Sequence, residues 1–456
     1  MSTTSQDLAE YVDRISFDDF DDEVIETTSN LLIDTIGCSI GAFTSPPVKA
    51  LRKEYLGHRG KTAATVAGTE TDVPVEYAGL INSTMARYLD YNDCYMATEG
   101  ACHPSDHIMG LLAVAQDVGA DGEALVEAIV TAYEIECLGL DQAPTRPQGF
   151  DYSAWGPYSS VTSVGKLLGL STDELIDAIG IVGASNAPLY ITRRGDVSMW
   201  KGVAHPYTTH NAIQACQMAR SGLTGPRAVF DSEYGFRDVV SPNELDFDGM
   251  PAGDGYRILE TGIKYFATGY YIHSPLTGAL ELVDEHDIDP DDIDSIHIDI
   301  FTRAASVLAT PEKWDTDQNR ETADHSIPYS VAVGIVDGEV TPRQFERDRL
   351  RGSDVHAVME KLTVDVDEEL DAYREDNPRH IPSRTTITVD GTEYTSRVDA
   401  PLGHADRPMT DEQLESKVRS LCDGLLVDEQ VDEAIELTRS LPDLETVDPI
   451  LETLVI

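Results

Sequence analysis

The sequence predicts a mainly α-helical protein with an α+β part: a large all-helical domain drawn from both chain ends and a smaller α+β domain inserted between them. Three observations predict it. Apolar residues recur at helical spacing through most of residues 22–260, with almost no strand alternation. Alternation begins only past Lys264, in IDSIHIDIF (293–301) and on both sides of Asp390-Gly391. Helical periodicity returns after Met409. The expected boundaries are 1–264 with 406–456 for the helical domain and 265–405 for the α+β domain, each within the usual domain range.

Taken in order, residues 22–43 read as a first helix with LLIDTIGCSIGA buried, and 75–90 as a second. Arg87 to Gln116 then joins two amphipathic helices through a loop carrying Asp90, Asp93, Glu99, His103, Asp106 and His107. Pro104 stops a helix from running through His103, and Ser105 offers a cap for the next one. Asp121 caps a further helix, and Ser171 with Glu174 forms a capping box. Residues 207–221 read as helix. In the second domain helices are expected at 327–337, 353–360 and 366–373. The run RTTITVDGTEYTSRV reads as a hairpin turning on Asp390-Gly391. Thr410 and Gln413 form another capping box, opening a return to helix.

Composition narrows the partners. The net charge is −49, from 82 acidic and 33 basic residues, and only nine of the basic residues are lysine. Carboxylates interleaved with apolar residues along the whole chain suit a protein dissolved in concentrated salt, where the screening length falls to ~3 Å. Nucleic acid and anionic membranes are poor partners for such a surface. The N-terminus lacks the basic start and apolar run of a signal peptide, and no stretch has the ~18 apolar residues of a membrane span. A cytoplasmic location is expected. The six cysteines show no CxxC spacing, which points to reduced thiols and away from zinc or cluster ligation.

The chemistry concentrates in the Asp90–His103 loop. A histidine fixed just before a helix and facing carboxyl groups suits general acid–base work, because its free pKa lies near neutrality. The plain alternative is a solvated loop with a structural cap. Four other stretches add donors and cations. GDVSMWKGVAHPY carries Lys201, which is equally readable as a carboxylate clamp or a snorkelling lysine. GIKYFATGYYIHSP carries Lys264 and His273, and ETADHSIPYSVAVG carries His325 and Tyr329. GFDYSAW carries Asp151 and Tyr152. Together they suit a polycarboxylate and a proton transfer. No nucleophile elbow, metal motif or phosphate loop competes with them.

The ordered series LLIDTIGCSIGA, LDYNDCY, HPSDHI, KLLGLS, SMWKG, TGP, PEKWDTDQNRETADHSIPY and PLGHADRPMTDEQL runs through essentially the whole chain. It resembles the MmgE/PrpD family, which includes 2-methylcitrate dehydratases, cis-aconitate decarboxylases and related epimerases. The resemblance implies a hydro-lyase acting on a small tricarboxylate, most similar to the 2-methylcitrate branch. It implies a homodimer, with no metal and no cofactor. The resemblance carries catalytic positions onto Asp90, His103, Lys201, His273 and Tyr329. Cys94, Tyr152, Lys264 and His325 are candidate substrate contacts. Three positions depart from the pattern. Tyr152 stands where many members have histidine, Cys94 where threonine is usual, and the usual glycine near Pro206 is missing. Decarboxylation, isomerisation or epimerisation of a related acid stays open, as does a non-catalytic carboxylate-binding paralogue.

Overall fold

The computed structural model describes residues 3–194, 197–247 and 255–456. Contacts divide the chain into two compact units, Met1–Thr261 with Thr410–Ile456, and Gly262–Met409.

The helical unit opens with α1 (Thr4–Arg14), α2 (Asp22–Gly41) and α3 (Pro46–Tyr55), followed by the two-residue strands β1 (Ala64–Thr65) and β2 (Asp72–Val73) and by α4 (Val75–Tyr88). Both α1 and α3 lie outside the helices expected from sequence. The first carries its own signal, since Leu8, Tyr11, Val12 and Ile15 recur at helical spacing and are buried. The second is short and half polar, so packing against α4 and the turn Met199–Gly202 makes it stable. Between α4 and α5 (Ile108–Val118) the chain is more than a connector. Strands β3 (Asp93–Ala97) and β4 (Gly100–Cys102) form a hairpin there, followed by a 3-10 turn, Pro104–His107. The hairpin lacks an alternating pattern because every residue of β3 is buried.

Helices α6 (Gly122–Gln142), α7 (Gly156–Leu167), α8 (Thr172–Ser185) and α9 (Ala204–Arg220) complete the core, with α7 packed on both α6 and α9. The caps at Asp121 and Ser171 form as their residue types dictate. Helix α9 starts three residues earlier than expected, because Pro206 sits in its first turn, where a missing N–H costs nothing. A short α10 (Phe236–Val239) follows. Close approach of α6 to the start of α7 depends on Gly139, where an added Cβ would fall 2.2 Å from the Trp155 ring.

The α+β unit contains β5 (Gly262–Ile263), α11 (His273–His286), β6 (Ile293–Ile300), α12 (Thr302–Leu308), α13 (Arg320–Ala323), α14 (Ile327–Asp337) and α15 (Ser353–Met359). It continues with β7 (Leu362–Val366), α16 (Glu368–Asp376), β8 (Ser383–Val389) and β9 (Thr392–Val398). The sheet order is β7-β6-β8-β9, with β6 parallel to β7 and antiparallel to β8. The β8–β9 turn places Asp390 and Gly391 at φ 49° and 73°, the two left-handed positions of a tight hairpin. Val366, expected to open a helix, instead ends strand β7. The acidic run after it becomes helical only from Glu368, where Asp367 supplies the cap.

The chain then returns to the helical unit with α17 (Asp411–Cys422), α18 (Asp428–Arg439) and α19 (Asp448–Thr453). Helix α17 packs on α2, and Lys417 fixes the contact through Asp34 Oδ1 at 2.6 Å and the Tyr91 carbonyl at 2.7 Å. Among the described residues, no single helix is long and apolar enough to cross a membrane. Helices α2 and α3 pass that test only together, as a pair bent by 84°, and α2 is largely buried in the unit core.

Candidate active site

Each functional side chain in the helical unit is held by an element that the sequence explains. Helix α4 ends at Tyr88, and Asp90 then adopts φ 54°, a left-handed conformation that an aspartate tolerates but that still stores strain. The turn aims Asp90 at two cations. Arg87 Nη1 lies 3.0 Å from Oδ1, and Lys201 Nζ lies 2.9 Å from Oδ2. All three side chains are buried. The N-cap role expected of Ser105 is not what forms. Its hydroxyl donates to Asp93 Oδ1 at 2.7 Å, because a 3-10 turn rather than an α-helix follows Pro104.

His103 sits at the entrance to that turn, and its Nδ1 lies 2.6 Å from the main-chain carbonyl of Asp93. A carbonyl only accepts, so Nδ1 carries the proton and Nε2 the lone pair. A backbone oxygen of β3 thus orients the ring. The Asp93 carboxyl is used differently. It accepts from Ser105 and, at 2.7 Å, from the Tyr133 hydroxyl, yet burial pushes its pKa up to about 7.

Tyr152 lies edge-on to His103, with ring centroids 5.6 Å apart. Its hydroxyl donates to Asp106 Oδ2 at 3.2 Å and accepts from Arg87 Nε at 3.4 Å. The Arg193 guanidinium covers one ring face at 4.7 Å and is itself paired with Asp151 at 3.1 Å. The His205 ring stacks on Tyr152 at 5.9 Å. Burial drives the Tyr152 phenol far above its ordinary range, so it remains a neutral hydroxyl.

Beneath Tyr152 lies a buried layer that the sequence reading did not single out. Glu136 bridges His205 Nε2 at 3.2 Å and His107 Nε2 at 2.9 Å. His107 Nδ1 reaches the Ser160 hydroxyl at 2.9 Å. Burial alone would raise the Glu136 pKa, but the two imidazoles outweigh it and hold the carboxyl down to about 2. Arg87, Glu136, Arg193 and His205 are the additions. Their one sequence signal is a charged residue embedded in an apolar helical run, as in STMARY and TAYEIECLGL. Among the described residues, the ligand atoms of His107, Glu136 and His205 converge closely enough for a cation, as do those of His380, His404 and Asp406.

Cys94 lies on β3, buried, with Sγ 3.9 Å from Met96 Sδ. In the α+β unit, Lys264 is fully buried, and His273 opens α11 against Phe266 and Tyr270 at 5.3 and 5.0 Å. His325 Nδ1 lies 2.6 Å from Asp324 Oδ1. The Gly269 N–H donates to the Asp324 carbonyl at 2.8 Å, which brings the loop before α11 beside His325. The Tyr329 hydroxyl donates to the Gln344 carbonyl at 2.6 Å in a buried setting beside Phe345, so its hydrogen is engaged within the unit.

Residues 6–248 match the MmgE/PrpD N-terminal domain, and residues 266–443 match the MmgE/PrpD C-terminal domain. The chain is 27% identical over 420 residues to a 2-methylcitrate dehydratase of Salmonella typhi, covering 88% of this chain and 86% of that protein. A 2-methylcitrate dehydratase of Cupriavidus necator is 27% identical over 431 residues, with the same coverage. A cis-aconitate decarboxylase of Aspergillus terreus is 23% identical over 488 residues, covering 99% of this chain and 96% of that one. Two family models that together span most of the sequence leave one conclusion: the chain belongs to the MmgE/PrpD family.

Proposed function

We propose that this protein is a hydro-lyase that dehydrates a small tricarboxylate, 2-methylcitrate to 2-methyl-cis-aconitate. The carrying observation is His103, with Nδ1 pinned at 2.6 Å by a backbone carbonyl and its ring edge-on to Tyr152. In that tautomer Nε2 takes the proton from the carbon next to a substrate carboxylate. The imidazolium so formed returns the proton to the departing hydroxide, which leaves as water as the C–O bond breaks. The Tyr152 oxygen accepts a hydrogen bond from the substrate hydroxyl and orients it, its own hydrogen being engaged by Asp106. Lys201 and Arg87, held by Asp90, stabilise the enolate-like carboxylate that develops as the carbon is deprotonated. His273 and Lys264 of the α+β unit are proposed carboxylate contacts, with Cys94 and His325 as further substrate contacts.

The similarity to 2-methylcitrate dehydratases over most of the chain supports this substrate. Cis-aconitate decarboxylation is the second reading, favoured by a relative that aligns over 99% of the chain. The net charge of −49 supports work in concentrated salt, and we propose a homodimer in the cytoplasm. Turnover of a tricarboxylate panel in molar KCl, read by ultraviolet absorbance of the conjugated product, decides between the readings. His103→Gln should lower kcat at least ~100-fold with the circular dichroism spectrum unchanged. Turnover near wild type would remove His103 from the mechanism. Tyr152→Phe should lower kcat/KM on whichever acid is turned over, and Tyr152→His should raise dehydration of 2-methylcitrate. If both variants match wild type on every acid, Tyr152 is only a packing residue.

A further inference from the structure

The layer beneath Tyr152 is more elaborate than packing requires. In this cluster lie three basic side chains, Arg87, Arg193 and Lys201, and four carboxyl groups, Asp90, Asp106, Asp151 and Glu136. Six of these seven side chains are almost fully buried, with Arg193 slightly more open, so a net charge left among them would be costly. One further positive charge closes the balance, and His205 is placed to carry it. Its Nε2 faces Glu136 at 3.2 Å. Its Nδ1 is buried with no hydrogen bond and lies 3.8 Å from Asp106 Oδ2. The ring has this position because Gly156 opens α7 without a side chain. An added Cβ there would fall 3.0 Å from His205 Nε2 and 2.5 Å from Thr208 Oγ1.

We infer that His205 is an imidazolium bridging Glu136 and Asp106, and that it is a positioning residue setting the hydrogen-bond polarity of Tyr152. With His205 charged, Asp106 stays ionised and can only accept. Asp106 Oδ1 then receives the Asn92 amide at 3.0 Å and Oδ2 receives the Tyr152 hydrogen. The Tyr152 oxygen is left to meet a substrate hydroxyl as an acceptor. Burial already raises the Asp106 pKa against the pull of Arg87 and His205; without the His205 charge it rises further, the carboxyl takes up a proton and donates, and Tyr152 turns its own hydrogen outward. The groups facing His205 are Glu136 on α6, Asp106 and His107 on the 3-10 turn, and Tyr152 and Arg193 on their loops. Burial and Arg193 oppose the charge, as does the N-terminal end of α9, whose dipole effect is worth ~0.3–1 kcal/mol. The two carboxylates outweigh these opposing effects, while His107 is kept neutral by burial and by His205.

This inference rests on the proposed role of Tyr152, so its test has a readout independent of turnover. The full-length protein labelled with 15N-histidine is examined by NMR from pH 7 to 9, and the His205 signal is assigned by its loss in His205→Gln. Should that variant fail to fold, the perturbation of the signal in Tyr152→Phe assigns it instead. Both ring nitrogens are expected to be protonated throughout. A neutral ring overturns the inference, and so does one equivalent of zinc that co-purifies and silences both N–H signals. In kinetics, on whichever acid the wild type turns over, His205→Gln should lower kcat about tenfold with KM little changed, the scale seen for partners one layer out. It should also add an ionisation from Asp106 to the acid limb of the pH profile. An unchanged profile in a folded, active variant defeats the positioning role, whereas an inactive wild type defeats the proposed function and leaves the NMR result standing.

Discussion

In the helical unit Lys417 buries its ammonium between Asp34 at 2.6 Å and the Tyr91 carbonyl at 2.7 Å, with side chains only 4% and 1% exposed. In the α+β unit Arg384 spreads over Asp299, Asp367 and Glu369 at 3.2, 2.8 and 3.4 Å, at the surface. The residue types and distances are alike, but the surroundings differ. Water and salt screen the second set, and its pairing is worth little beyond solubility. In the first, each charge has given up its hydration, so its partner is obligatory. The site around Tyr152 is built in the first manner. Its carboxylates and cations cannot exchange partners with solvent, which is what lets them set the direction of a single hydroxyl.

The largest effect is expected at Lys417. Lys417→Met leaves the Asp34 carboxylate buried without its cation and should cost about 3–5 kcal/mol, read from urea denaturation at fixed salt. The double variant Asp34→Leu/Lys417→Met should recover most of that loss. A single variant as stable as wild type would show that water reaches Asp34.

A second test uses pH. The Asp93 carboxyl is held at about 7, above its ordinary unfolded value of ~3.9, so the folded state binds this proton more tightly. Its contribution to stability is complete below pH ~4 and is lost as pH rises to ~7. Asp93→Asn should remove that decline, seen as a flatter stability profile between pH 4 and 7. A profile parallel to wild type would mean that Ser105 and Tyr133 hold the carboxyl ionised.

The smallest effect is expected at the surface. Arg384→Ala should cost no more than about 1 kcal/mol, and molar KCl should erase the difference. A loss that persists in high salt would place Arg384 with the buried set.

Much of the fold was legible because it rests on local rules. The caps at Asp121, Ser171 and Thr410 and the turn at Asp390-Gly391 are satisfied by atoms within three or four residues. The hairpin at β3–β4 was not, since a strand buried on both sides shows no alternation. Of the site, His103 and Lys201 were visible through unusual chemistry beside a proline or among aromatics. Tyr329 was visible for the same reason, but the structure gives its hydroxyl to Gln344.

By itself, then, the sequence determined the succession of helices, the late onset of strand alternation, the acidic surface and the candidate loop, all properties read over a few residues or summed over the chain. Tertiary structure alone decided which charges are buried together. Arg87, Asp106, Glu136 and His205 come from four separate segments, and nothing in their local sequence says that Glu136 will hold two imidazoles or that Asp106 will receive a tyrosine hydrogen. The physical reason is that burial multiplies an electrostatic interaction that is weak in water, and burial is a property of the packed chain.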